Sequence, residues 1–156
     1  HDQGKGIIIA VNKWDAIEKN DKTVNKYADN IRNILSFAPY AEITYISALT
    51  GQRMPRLFEM IDTVLENQTL RVATGVLNEI ITEATAMQQP PADKGKRLKI
   101  FYTTQVSVKP PTFVIFVNEK KLMHFSYLRY LENRIREAFG FKGTSLRFIV
   151  RERTEK

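Results

Sequence analysis

The feature that most constrains the fold is a short apolar run that ends abruptly in a polar cluster. Residues 6–11, Gly-Ile-Ile-Ile-Ala-Val, are rich in β-branched side chains and predict a strand buried on both faces, as in a parallel sheet. The next four residues are Asn12, Lys13, Trp14 and Asp15. Because ligands of open α/β sheets bind beyond the carboxyl ends of the strands, this position makes the cluster a candidate binding site.

A second polar loop is expected at the same end of that sheet. Residues 24–35 carry apolar side chains at helical spacing, and residues 43–46 then predict another short strand. This strand runs into Ser47, Ala48 and Leu49, and a further helix follows. Because a helix connects the two strands, they must pair in parallel with a right-handed crossover. The resulting β-α-β-α unit brings both loops to one rim.

The rest of the chain predicts a second, α+β domain. Its segments are a helix over 72–87, a β-hairpin with a Pro-rich turn over 98–118, a helix over 128–139 and a strand over 146–150. This α-β-β-α-β order predicts a three-stranded sheet with the helices on one face. The domain boundaries are expected at 1–68 and 69–156.

Charge differs sharply between the two halves. Residues 1–93 hold 9 Lys+Arg against 12 Asp+Glu, whereas residues 94–156 hold 15 against 5. This asymmetry favours a polyanionic partner for the second domain, and a solvated basic surface without a partner is the alternative. The candidate RNA contacts are Lys99, Lys109, Arg129, Arg136, Lys142 and Arg147.

Composition also bounds the chemistry. The chain has no cysteine, which excludes disulfides and thiolate metal sites, and its two histidines lie far apart, which argues against a histidine metal site. No apolar run is long enough to span a bilayer and no signal peptide opens the chain, so we expect a cytoplasmic protein without a membrane partner.

The two loops resemble the base-recognition motifs of GTPases. Asn12-Lys13-Trp14-Asp15 matches the N-K-x-D pattern, and Ser47-Ala48-Leu49 resembles the S-A-K/L loop of that family. A carboxylate such as that of Asp15 can accept two hydrogen bonds from guanine, an arrangement that adenine cannot offer. The resemblance implies that Asn12 ties the loop and that the Ala48 N–H donates to the guanine carbonyl, where a purine amine would be rejected.

The remaining loop side chains have simpler expected roles. The aliphatic stem of Lys13 can cover the flat base. Trp14 occupies the variable position of the motif, and we expect its ring to cover the end of the sheet. A polar loop that merely caps a strand is the alternative for the whole motif.

The sequence contains neither a G-x-x-x-x-G-K-[ST] phosphate loop nor a D-x-x-G switch sequence. Hydrolysis of GTP requires phosphate contacts and a magnesium ligand, so the chain is not expected to hydrolyse GTP by itself. It is interpreted as the trailing part of a P-loop GTPase domain followed by a second module. GTP or GDP is then the cofactor of the longer protein, with Mg²⁺ bound by the part that precedes this chain, and tight nucleotide binding is not expected here.

The whole chain resembles the C-terminal part of the Der (EngA) family of ribosome-assembly GTPases of bacteria. The stretches that carry the resemblance in the second domain are Arg71-Val72, Leu98-Lys99-Ile100, Thr104 to Pro111, and Phe125-Ser126-Tyr127 through Gly143. It implies that residues 1–68 are the tail of a second GTPase domain and that residues 69–156 form a KH-like domain. It further implies a role in assembly of the large ribosomal subunit, with ribosomal RNA and the upstream GTPase domains as partners.

Two functions remain open at this point. One is a fragment of a GTP-binding assembly factor, which contributes guanine recognition and a basic docking module. The other is a free-standing RNA-binding module in which the Asn-Lys-Trp-Asp loop is incidental.

Gly140-Phe-Lys-Gly143 matches the G-x-x-G letters of KH domains, but it lies between a predicted helix and a strand, where a helix C-cap is expected.

Overall fold

The structure is a computed structural model that describes residues 1–20 and 22–153. It divides the chain into unit 1, His1–Gln68 with Lys142–Ser145, and unit 2, Thr69–Phe141 with Leu146–Lys156. Asp21 and residues 154–156, which the expected domains include, lie outside the described residues. The segment Lys142–Ser145 groups with unit 1, although the expected boundaries place it in the second domain.

Unit 1 has the β-α-β-α order that the sequence predicts. Its elements are β1 (Ile8–Val11), a 3-10 turn (Trp14–Ala16), α1 (Thr23–Ile34), β2 (Glu42–Tyr45) and α2 (Met54–Thr69). The two strands pair in parallel, with Ile8 opposite Glu42 and Val11 opposite Tyr45. The parallel pairing confirms the argument from the helical crossover, since such strands need a long connection.

Two glycines let the backbone of unit 1 approach α2 closely. A Cβ atom at Gly6 would lie 2.5 Å from Cγ1 of Val64, and one at Gly143 would lie 2.2 Å from Cγ2 of the same side chain. The Ile7 N–H donates to the Gly143 carbonyl at 2.7 Å, and the Gly143 N–H donates to the Tyr40 carbonyl at 3.0 Å. Any side chain at Gly6 or Gly143 would therefore displace Val64 or break this packing.

Unit 2 contains the three-stranded sheet that the sequence predicts. Its elements are α3 (Thr74–Met87), a short hairpin of β3 (Ala92–Asp93) and β4 (Lys96–Arg97), then β5 (Ile100–Ser107), β6 (Thr112–Val117), a 3-10 turn (Lys120–Leu122), α4 (Phe125–Phe139) and β7 (Arg147–Glu152). The sheet order is β5-β6-β7, with β5 antiparallel and β7 parallel to β6.

Both helices of unit 2 cover one face of this sheet. Phe113, Ile115 and Val117 alternate along β6, and all three are fully buried. They share one apolar cluster with Leu77 of α3 and Leu131 of α4. The expectation of helices on a single face is therefore confirmed. Within the described part of the chain, no helix combines the length and apolar character needed to cross a membrane.

Candidate functional site

The loops after β1 and β2 are joined at one end of the unit 1 sheet. The Asn12 side-chain oxygen Oδ1 accepts hydrogen bonds from the backbone N–H of Lys13 at 2.7 Å and of Ala48 at 3.0 Å. The Trp14 N–H donates to the Ile46 carbonyl at 3.1 Å. One carboxamide thus fixes two loops that are 36 residues apart in the chain.

The Trp14 ring lies beneath these loops and is only 1% exposed. Its centroid is 4.4 Å from that of Tyr45 and 5.5 Å from that of Tyr27, the latter in an edge-to-face arrangement. Lys19 Nζ lies 5.1 Å from the ring centroid and donates to the Trp14 carbonyl. Burial raises the pKa of the Tyr45 phenol, and the charge of Arg32 partly opposes this rise. The ring therefore covers the sheet end, as the sequence predicts.

The candidate site residues that are exposed are Asn12, Lys13, Asp15, Ala48 and Leu49. Lys13 has a left-handed backbone with φ of 59°, and Asp15 follows in the 3-10 turn. Leu49 is 89% exposed. The site therefore presents one carboxamide, one carboxylate, one ammonium group and the apolar side chains of Ala48 and Leu49 on the joined loops.

Ser47 shapes the second loop from within. It is fully buried, and its Oγ accepts the Thr50 N–H at 3.2 Å. The Ala48 N–H, which is expected to meet a guanine carbonyl, donates to the Asn12 side chain at 3.0 Å. A base carbonyl that receives this N–H would either share it with Asn12 or replace Asn12 as the acceptor.

No group of three His, Asp or Glu side chains that could hold a metal ion occurs within residues 1–20 and 22–153.

Two of the arginine candidates for RNA contact lie on α4 and differ in their surroundings. The Arg129 guanidinium lies over the Phe125 ring, 4.6 Å from its centroid, and both residues are exposed. The Arg136 side chain is only 16% exposed, and it pairs with Glu132 at 3.6 Å and donates to the Phe141 carbonyl at 3.1 Å. These contacts stabilise the end of α4, so Arg136 has a structural role whatever else it does.

The other four candidates are exposed but dispersed over both units. Lys99 directly precedes β5, Lys109 lies in the turn after it with φ of 58°, and Arg147 opens β7 opposite Thr112. Lys142 belongs to unit 1. The structure thus does not gather the six cations on one element.

The G-x-x-G letters lie at the end of a helix. Gly140 is the C-cap residue of α4, with φ of 94°, and its N–H donates to the Arg136 carbonyl at 2.8 Å. The segment leads from α4 into β7 rather than joining two helices. The helix C-cap interpretation is therefore confirmed, and the loop does not have the position of a nucleic-acid-binding G-x-x-G loop.

The open face of the unit 2 sheet carries residues that were not among the candidates. Tyr102, Phe116 and Arg151 lie in register on neighbouring strands. Their positions alternate with the buried Ile115 and Val117, so the period-two pattern of the strands already assigned them to the outer face. The two rings carry no charge, so the charge asymmetry of the sequence does not point to them.

Residues 71–151 match the family model described as the KH-domain-like, C-terminal part of EngA bacterial GTPase enzymes. Across 99% of the chain, the sequence is 73% identical to the GTPase Der of Agathobacter rectalis and 70% identical to that of Lachnoclostridium phytofermentans. It is 59% identical over 98% of its length to the GTPase Der of Listeria monocytogenes. In each case the match covers 35% of the relative, so the chain spans about a third of the length of these relatives.

Proposed function

Because this chain belongs to the EngA family of bacterial GTPases, we propose that unit 1 supplies guanine recognition to a GTP-binding site and that unit 2 docks on ribosomal RNA. In this proposal unit 1 is the final part of a P-loop GTPase domain. Hydrolysis, with its phosphate and Mg²⁺ contacts, is proposed for the longer protein only. Assembly of the large ribosomal subunit is the process in which we place it.

The hydrogen bond between Asn12 Oδ1 and the Ala48 N–H is the observation that carries the guanine proposal. It holds the Asn-Lys-Trp-Asp loop against the Ser-Ala-Leu loop, and it leaves Asp15 exposed beside them. Asp15 would accept from the ring N–H and the exocyclic amine of guanine. The guanine carbonyl would take the Ala48 N–H from Asn12, and the freed carboxamide would then face the base. Since one acceptor replaces another, this exchange has a small net energetic cost.

The test is the substitution Asp15→Asn in the longer protein, that is, a protein with the full length of the relatives. An amide donates where the carboxylate accepted, so GTP binding should weaken by about tenfold to a hundredfold, and binding of xanthosine triphosphate should improve. Asp29→Asn, an exposed carboxylate on α1, is the matched control and should leave both affinities unchanged. GTP affinity that is unaffected by Asp15→Asn would refute guanine recognition and favour the alternative, a free-standing RNA-binding module.

The RNA proposal is supported by the excess of cations after residue 93. Contacts to phosphates release counterions, so the affinity of the chain for ribosomal RNA should fall steeply between 50 and 200 mM salt, by about tenfold or more for each two or three phosphates contacted. Fluorescence anisotropy with a labelled large-subunit RNA fragment measures this slope. Affinity that stays flat over this range would show that the basic surface does not bind phosphate.

A further inference from the structure

We propose that the open face of the β5-β6-β7 sheet binds single-stranded RNA by stacking unpaired bases on Tyr102 and Phe116. This inference rests on the RNA-docking part of the proposed function and assigns it a surface. The face consists of three rows of outward positions that cross the three strands. The rows are Tyr102-Phe116-Arg151, Thr104-Val114-Ile149 and Ser107-Thr112-Arg147. On the central strand Val114 is 3% exposed and Thr112 is 9% exposed, so the accessible part of the face is the aromatic row and the flanking strands.

The first row has the geometry of a stacking platform. The ring centroids of Tyr102 and Phe116 are 6.5 Å apart, with an angle of 33° between the ring planes. Tyr102 is 40% exposed, and Ile149 in the next row is 39% exposed. Neighbouring strands lie about 4.8 Å apart, so the row from Tyr102 to Arg151 is about 10 Å wide, enough for two adjacent bases. Other sheets recognise RNA by stacking its bases on surface aromatic residues in a similar way.

The charge of this face favours a polyanion over a protein partner. Arg151 ends the aromatic row, Arg147 ends the third row, and none of the nine positions in the three rows is an aspartate or glutamate. A base stacked on Phe116 would bring its phosphate towards the β7 edge, where both arginines lie. Aromatic faces flanked by arginine bind bases with little sequence preference.

The two aromatic rings of the face also favour unpaired bases. Bases inside a duplex present only their edges and cannot lie flat on a ring, whereas unpaired bases can be splayed out and stacked. This sheet face is a different surface from the Gly140–Gly143 loop, which leads from α4 into β7. It predicts a preference for single-stranded RNA over duplex RNA.

The test measures binding of the 156-residue chain to a labelled 12-nucleotide single-stranded RNA and to the same sequence annealed to its complement. Tyr102→Ala should weaken single-strand binding about tenfold, and Tyr102→Phe should retain it. The matched control is Phe125→Ala, which removes a ring that is 71% exposed and also adjacent to an arginine, but on α4. It should change the affinity by less than twofold, and circular dichroism verifies that each variant is folded.

Arg151→Ala should weaken binding and make the dependence on salt shallower by about one phosphate contact. If the parent binds RNA with a steep salt dependence and Tyr102→Ala binds equally well, the sheet face is refuted while the RNA-docking proposal stands. Equal affinity for single strands and duplex would likewise refute the stacking mode. If the parent binds no RNA, both proposals fail. Self-association of the parent that Tyr102→Ala abolishes would then assign the face to a protein interface.

Discussion

The contact of Gly143 with Val64 provides the most quantitative test of the structure. In Gly143→Ala, the new methyl group would lie 2.2 Å from Cγ2 of Val64, at a backbone φ of +78°. The left-handed backbone costs about 1 kcal/mol for alanine. Forcing a methyl group into a filled space costs about 1–3 kcal/mol more. We therefore expect the substitution to reduce the free energy of unfolding of unit 1 by about 2–4 kcal/mol.

The two contributions can be separated with variants of the same unit. Gly51 has nearly the same backbone conformation, φ of +77°, but no neighbouring atom within 4 Å of an added Cβ. Gly51→Ala should therefore cost only the backbone part, about 1 kcal/mol. Val64→Ala removes both Cγ atoms and should cost about 2 kcal/mol by itself. Combined with Gly143→Ala it should cost about 3 kcal/mol, because the contacts with both Cγ atoms are removed and only a 3.3 Å contact with the Val64 Cβ remains.

Urea unfolding followed by the emission of Trp14 measures these values, since Trp14 is the only tryptophan and is buried in unit 1. A coupling of about 1–3 kcal/mol between the Gly143 and Val64 substitutions is expected. Costs that add to within about 0.5 kcal/mol would refute the contact. So would a Gly143→Ala variant that loses no more stability than Gly51→Ala.

Two further predictions concern buried aromatic side chains. Trp14→Ala should destabilise unit 1 by about 3–5 kcal/mol and Trp14→Phe by less than half of that, as measured by urea unfolding followed by circular dichroism; equal losses would contradict the ring packing. Burial, with a smaller contribution from Tyr130, raises the pKa of Tyr127 from 10 to about 12. The free energy of unfolding that depends on the neutral phenol is therefore fully present below pH 10 and is lost as the pH rises towards 12. Tyr127→Phe should lose less stability over that alkaline range than the parent or a Tyr102→Phe control, and identical pH profiles would refute this assignment.

The parts of the fold that follow from local pattern and connectivity were predictable. The parallel pairing of β1 and β2 follows from the helix between them, and the alternation along β6 separates Phe113 from Phe116. The rim at which the two loops meet follows from the same connectivity. These features depend only on chain direction and on the period of apolar residues.

Other features depend on contacts between distant residues, which a single sequence does not encode in its periodicity. The hydrogen bond from the Ala48 N–H to Asn12 joins residues 36 positions apart. Which acceptor this N–H bonds to depends on the geometry of both loops. The inclusion of Lys142–Ser145 in unit 1 follows from the fit of Gly143 on Val64, which residue spacing cannot reveal. Charge counting likewise selected cations and passed over the rings of Tyr102 and Phe116.

The grouping of Lys142–Ser145 with unit 1 affects how fragments of the protein should be prepared. A recombinant piece truncated after Gln68 would lose the carbonyl that accepts the Ile7 N–H and the backbone that lies against Val64. Val64, which is 5% exposed in the structure, would lose part of its cover, so such a piece should be less stable than unit 1 within the whole chain.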